Sequence, residues 1–170
     1  MSLEDLLART AITDCLHRYC RGIDRADLAL VLSAFHPDAA DNHSGALESA
    51  VARFTRTVVQ GMPMRTSHQL ANITIELDGP RAAAQSYMTA WHQFEHEGET
   101  WNWVLAGRYL DRLECRDGDW RICERTVVYD LERFERAAEA PVGHPAAGLL
   151  AHATRGVKSG DDLMYTVLRG

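Results

Sequence analysis

From Arg65 to Asp130 the chain leaves the helical period and alternates every second residue, through four runs parted by short turn sequences. In the first run His68, Leu70, Asn72 and Thr74 alternate with Gln69, Ala71, Ile73, Ile75 and Leu77. Runs over 65–78, 81–96, 101–115 and 120–130 are closed by Asp78-Gly79-Pro80, Glu97-Gly98-Glu99 and Asp117-Gly118-Asp119. A period of two belongs to strands, and Gly-containing breaks of this length join antiparallel neighbours. Four consecutive hairpin-linked strands are expected.

Three amphipathic segments precede them. Ser2 is placed to cap a helix with Asp5 at its third position, and Leu3, Leu6, Leu7, Ile12, Cys15, Leu16, Tyr19 and Ile23 keep close to helical period, which predicts helix one to about Arg21. Asp24 or Asp27 caps a second helix carrying Leu28, Val31, Leu32 and Phe35, which Pro37 stops. A polar link, 38–45, leads to a third helix with Leu47, Val51, Phe54, Val58 and Val59, ending near Gly61-Met62-Pro63. Helices followed by strands give an α+β fold in which a curved antiparallel sheet wraps the three N-terminal helices as a cone, with a pocket between the two layers. A short helix is expected over 131–138, then an irregular tail, 139–170, rich in Pro, Gly and His but with enough apolar residues to cover the pocket or a neighbouring subunit.

At 170 residues and 46% hydrophobic content the chain suffices for one core, which buries about two-thirds of the unfolded surface. The net charge of −6 works against nucleic acid and anionic membranes as partners, leaving a small molecule or another protein as the expected partner. The start carries no signal-peptide pattern and no apolar run reaches the ~20 residues of a membrane span, so a cytoplasmic location is expected. Cys15, Cys20, Cys115 and Cys123 form no CxxC pair and read as free thiols. No GxGxxG, Walker-type loop or GxSxG elbow is present, which argues against a dinucleotide cofactor, nucleotide hydrolysis and an α/β-hydrolase. His92 with His96, and His36 and His43 beside Asp38 and Asp41, look metal-like on paper. The first pair lacks a third ligand and the second reads as a solvated loop, so neither metal nor cofactor is expected.

The chemistry is expected at Asp24 and His68. Asp24 follows helix one and His68 lies on the first long strand; if the sheet wraps the helices, the carboxylate orients the imidazole and prepares it to move a proton. Tyr19, Asn72 and Arg125 are the candidates to stabilise developing negative charge, and Phe35, Trp91, Trp103 and Tyr109 to supply an apolar wall for a ring-shaped ligand. The bland alternatives stand beside these: strand histidines and turn aspartates are more often packing and capping residues, and aromatic stripes more often core.

At these positions the sequence resembles the SnoaL-like group of the nuclear transport factor 2-like superfamily. The resemblance covers roughly Leu3 to Phe134 and rests on Ala11-Ile12, the string His17-Arg18-Tyr19-Cys20-Arg21-Gly22-Ile23-Asp24, Phe35-His36-Pro37-Asp38-Ala39, Ser67-His68-Gln69-Leu70-Ala71-Asn72, Gly107-Arg108-Tyr109-Leu110-Asp111 and Asp117-Gly118-Asp119-Trp120-Arg121-Ile122. It implies a cystatin-like α+β barrel and an Asp–His base of the kind used by dehydratases and dehydrochlorinases of the group, with Asp24 and His68 at the matching positions, Tyr19 on the helix before them and Arg125 on the last strand. It offers no match for the second histidine of scytalone dehydratase. The same group holds ketosteroid isomerases, polyketide cyclases and non-catalytic dioxygenase small subunits, and implies homo-oligomers, trimers or dimers, formed through the outer face of the sheet.

Overall fold

A computed structural model describes residues 1–43, 45–59, 61, 63–138 and 143–169, the side chains of 59, 150 and 169 excepted. Met62, named above at the end of helix three, and residues 139–142 of the expected tail lie outside the described residues. Helix α1 (Leu3–Arg25) begins with the expected reciprocal cap: the Ser2 hydroxyl accepts from the Asp5 N–H at 3.0 Å and the Asp5 carboxylate accepts from the Ser2 N–H at 2.8 Å. It runs one turn past Arg21 because Gly22 and Ile23 continue the buried stripe, and it stops at Ala26, which takes φ 53° and returns its N–H to the Gly22 and Ile23 carbonyls. Asp27 caps α2 (Leu28–Leu32), accepting from the Leu30 N–H at 2.9 Å.

The second helix is shorter than expected. Phe35 leaves it to start strand β1 (Phe35–Asn42), which occupies most of what reads as a polar link. Phe35 pairs with Ile122 and Asp41 with Arg125 on the last strand, in parallel. Tertiary pairing thus overrides local polarity, and His36, Ala39 and Asp41 are buried. A two-residue strand β2 (Glu48–Ser49) and α3 (Ala50–Val59) follow.

Strands β3 (Met64–Asp78), β4 (Arg81–His96), β5 (Glu99–Arg116) and β6 (Asp119–Arg136) are the four expected antiparallel runs. The sheet order β2-β1-β6-β5-β4-β3 puts the short strands at one edge and β3 at the other, so the curved, unclosed sheet carries one parallel pair, β1 with β6, among antiparallel ones. The turns at Glu97-Gly98 and Asp117-Gly118 both hold positive φ at two successive residues (52° and 78°; 54° and 82°), the tight hairpin geometry that matches strand twist. The helix expected over 131–138 does not form. Its residues extend β6 against the start of β5, where Leu131 faces Ala106 and Phe134 stacks on Trp103 at 5.4 Å.

The inner face carries Ala82, Ala84, Met88 and Ala90 from β4 and Leu105, Tyr109 and Leu113 from β5, packed on Ile12, Cys15, Leu16 and Tyr19 of α1. Between Ala106 and Gly107 the pairing with β6 shifts register, and a Cβ on Gly107 would lie 2.2 Å from the Val128 carbonyl oxygen. Backbone, not a flexible side chain, is in the way. Gly107→Ala should therefore destabilise the fold by about 1–3 kcal/mol, read as a lower urea midpoint; an unchanged midpoint would show that the two strands part freely there.

The tail is less irregular than expected: α4 (Pro145–Ala151) and α5 (Leu163–Arg169) form within it. Between them the chain lies back on the end of α1 and the start of β3. Arg25 donates to Asp162 at 2.9 Å, the Tyr165 hydroxyl donates to Asp27 at 2.6 Å, and Lys158, the chain's single lysine, donates to the Met64 carbonyl at 2.9 Å.

Candidate active site

Asp24 and His68 meet. The Asp24 carboxylate accepts from the His68 ring Nδ1 at 2.7 Å with one oxygen and from the His68 backbone N–H at 2.8 Å with the other, so ring and backbone are held by a single side chain 44 residues away. Burial disfavours the Asp24 charge, yet the bonds and charge of His68 outweigh that and hold its pKa below the ordinary carboxylate value of 3.8. In the neutral ring, the bond to Asp24 keeps the His68 proton on Nδ1, and Nε2 then offers a lone pair to the cavity that His68 lines.

That cavity, about 160 Å³, lies between α1, α3 and the inner face of the sheet. Tyr19 and Ile23 of α1, Met88 and Ala90 of β4, and Trp103 and Tyr109 of β5 give it mostly apolar walls. An apolar cavity of about 150 Å³ admits a single six-membered ring. Tyr19, Trp103 and Tyr109 thus lie where a wall was expected.

Four candidates lie elsewhere. Arg125 is 0% exposed and does not line the cavity: its guanidinium donates to both Asp111 oxygens, at 2.6 and 2.8 Å, and sits 4.2 Å from the Tyr19 and Tyr109 ring centres. It is a pillar behind the two tyrosines and not an oxyanion donor. Phe35 lies in the core behind Tyr19, with ring centres 5.7 Å apart. Asn72 takes φ 47° at a bulge between Ala71 and Thr74 and is exposed; inward residues are even-numbered before the bulge (Thr66, His68, Leu70) and odd-numbered after it (Ile73, Ile75, Leu77), so the four-residue spacing from His68 does not hold one face. Trp91 points away from the cavity, is 40% exposed, and borders a neighbouring groove of about 300 Å³ with Arg25, Arg65 and Lys158.

Sequence reasoning missed two histidines. His92 packs edge-on to His68 with ring centres 5.6 Å apart, and parts cavity from groove. Burial, with the nearby charge of His68, lowers its pKa from 6.5 to about 4. His43, read as a solvated loop residue, lies just beyond β1 with its side chain only 13% exposed: its Nδ1 lies 2.5 Å from Asp41 and its Nε2 3.2 Å from the Tyr19 hydroxyl. The signal was the spacing of two between Asp41 on β1 and His43 just past its end, which keeps both on one side of the extended chain. Among the described residues no three His, Cys, Asp or Glu side chains gather as a metal ion would require.

The buried histidines set an acid limit on stability. An imidazole whose folded pKa lies below its unfolded value of 6.5 contributes stability above pH 6.5, and the contribution is lost as pH falls toward the folded value, because the unfolded chain then binds a proton that the folded chain excludes. For His92, which faces His68, Asp24 and Lys158, the loss between pH 6.5 and 4 is on the order of 3 kcal/mol. Asp24 acts in the same direction below pH 3.8. The melting temperature should fall across this window and fall less steeply in His92→Gln; equal slopes for both proteins would put the acid sensitivity elsewhere.

A SnoaL-like domain model matches residues 4–126, more than half of the chain. The chain belongs to the SnoaL-like domain family. Among solved structures, a scytalone dehydratase candidate from Novosphingobium aromaticivorans superposes on this SnoaL-like domain with a TM-score of 0.70 at 21% identity, covering 85% of this chain and 99% of that one. A hexachlorocyclohexane dehydrochlorinase, LinA type 2, gives 0.69 at 19% identity, with 83% and 98% covered. The β subunit of an aromatic-ring-hydroxylating dioxygenase candidate from N. aromaticivorans gives 0.61 at 20% identity, with 81% and 95% covered. Identities this low establish the shared fold and no more. Among curated proteins none matches the chain. No helix among the described residues is long and apolar enough to cross a membrane.

Proposed function

We propose that this SnoaL-like domain is a cofactor-independent lyase acting on a small, cyclic, largely apolar substrate. His68 Nε2 removes a proton from a carbon next to an activating group; the C–H electron pair becomes the new double bond as the leaving group departs with its own pair, as halide, or as hydroxide that takes the proton from His68 and leaves as water. The observation that carries the reading is the double grip of Asp24 on the His68 ring and backbone, which fixes the tautomer and aims the free nitrogen at the cavity. Dehydration and dehydrochlorination, the activities named for two of the fold neighbours, are both eliminations, which supports the same reading. An isomerase would use the same base and return the proton to another carbon. The cavity suits one ring; a steroid-like or polyketide-derived molecule would have to reach past His92 into the neighbouring groove.

Incubation with hydroxylated and halogenated ring compounds, followed by mass spectrometry, should reveal loss of water or acid in the wild type. Turnover that persists in both His68→Ala and Asp24→Asn would move the chemistry elsewhere.

A second, non-catalytic reading draws on the dioxygenase β-subunit neighbour and on the exposed Tyr87, Trp91 and Leu110 of β4 and β5. We place these residues in an interface between copies of this chain, a trimer or dimer, rather than against a catalytic partner. Tyr87→Glu with Trp91→Glu should then give monomers in light scattering; an unchanged mass would exclude that interface.

A further inference from the structure

The cavity has a second set of proton-handling groups, brought to it from the opposite edge of the sheet. His68 comes from β3, while Asp41 and His43 come from β1 and the residue just beyond it. Asp41 is 0% exposed, and its Oδ1 accepts from His43 Nδ1 at 2.5 Å and forms an ion pair with Arg53, whose Nε lies 3.2 Å away. The Tyr129 hydroxyl donates to the His43 carbonyl at 2.9 Å and pins the backbone there. The His43 ring is thereby oriented as His68 is, with Nδ1 on a carboxylate and Nε2 toward the cavity, but Nε2 meets the Tyr19 hydroxyl at 3.2 Å.

The direction of the hydrogen bonds follows from the charges. Burial, opposed by Asp41 and reinforced by the cations of Arg53 and Arg125, holds the His43 pKa below its ordinary value, so the ring is neutral near pH 7. A neutral ring that donates from Nδ1 has only an acceptor at Nε2, so the Tyr19 proton points at His43. The Tyr109 hydroxyl donates to the same oxygen, so Tyr19 presents its remaining lone pair, not a proton, to the cavity. Its expected role as an oxyanion donor is reversed in this resting arrangement. His68 Nε2 and Tyr19 Oη are thus two acceptors on the cavity wall, beside the side chains of Arg53, Thr57 and His92, and a pair of acceptors facing one cavity favours a ligand that brings its own donor.

The geometry points to Tyr19–His43–Asp41 as a proton-accepting relay for a hydroxyl on the substrate, so that the ligand is a hydroxyl-bearing ring, phenolic or enolic, with its O–H on the Tyr19 side and its acidic C–H on the His68 side. The ligand's O–H bond breaks with its electron pair left on oxygen. That proton goes to Tyr19 Oη as the Tyr19 proton passes to His43 Nε2, giving an imidazolium that the new ligand oxyanion, together with Asp41, stabilises against the burial that keeps the ring neutral at rest. One proton has moved through two bonds and no electron has changed hands. His43 acts through Tyr19 and is a positioning residue; within the relay only Tyr19 bonds the ligand hydroxyl. The inference rests on the cavity being the site of proton abstraction proposed above.

The test uses the full chain with 4-nitrophenol, whose phenolate absorbs at longer wavelength than the phenol, at a pH where the free probe is protonated; 4-nitroanisole serves as the control without an O–H. Wild type should bind 4-nitrophenol with the phenolate spectrum; at saturation Tyr19→Phe and His43→Phe should lose that band at least tenfold, and His68→Ala, whatever affinity it loses, should lose it less than they do. The anisole should bind about tenfold more weakly. Imidazole 15N shifts of the wild type read the same step without any substitution, His43 Nε2 passing from unprotonated to protonated on binding. A phenolate band that survives in Tyr19→Phe and His43→Phe but vanishes in His68→Ala would give the proton to the other histidine and overturn the relay while leaving the lyase reading intact. No phenolate, or no binding, in wild type would also overturn it. Intact probe behaviour with no elimination of any ring compound would leave the relay standing and sink the lyase reading instead.

Discussion

Asp111→Asn should lower the folding free energy by about 3–5 kcal/mol, because it strips the counter-charge from a guanidinium that has no exposure to water. Arg125 faces Asp111 on β5 and Asp41 on β1 across the sheet, but only Asp111 bonds it, through two parallel contacts. The expectation has a sharper form in the double variant. Asp111→Leu with Arg125→Met removes both charges and should recover most of the loss, since a buried pair replaced by apolar side chains of similar volume is often neutral or better. Urea denaturation of the two single and one double variants measures this directly. A single-variant loss below about 1 kcal/mol would mean that Arg125 finds water or Asp41 as a substitute partner.

The largest effect on chemistry is expected at His68. His68→Ala should cut turnover of any substrate about 10²–10⁴-fold, the usual contribution of a positioned base. Asp24→Asn should cause a loss of similar order by a different route. An amide can offer its oxygen to the His68 backbone N–H and still fail to hold a proton on Nδ1, so the ring is free to present the wrong tautomer. Steady-state rates beside melting temperatures separate this from unfolding. A His68→Ala protein that keeps full activity would place the base elsewhere in the cavity, with His92 and His43 the remaining imidazoles on its wall.

The parts of this site that were legible in the sequence are those set by local pattern. The period of two from Arg65, the Gly-containing turns and the helical stripe through Tyr19 place Asp24 at the end of α1 and His68 on the following long strand, and the SnoaL-like resemblance brings them together. What was illegible depends on pairing between distant segments. Phe35 to Asn42 is too polar to read as a strand, yet it pairs in parallel with β6, and that pairing buries Asp41 and carries His43 to the cavity. Arg125 looks like a pocket cation from its alternation with Val127, but Asp111 on β5 draws its guanidinium behind the tyrosines. A one-residue bulge after Ala71 sends Asn72 outward, and no spacing rule anticipates a bulge. Leu131 to Arg136 carries a helical pattern that the exposed edge of β5 overrides by extending the ladder.

The central claim is that His68, held by Asp24, takes a proton from carbon in this cavity. The most direct measurement is deuterium exchange: ring compounds with an acidic C–H are incubated with the protein in D2O, and both recovered substrate and product are weighed by mass spectrometry, so that proton abstraction registers whether elimination or isomerisation follows. The account predicts deuterium at one carbon with the wild type and none above background with His68→Ala or Asp24→Asn. Equal incorporation by all three proteins, or none by the wild type with any compound that it binds, would contradict it.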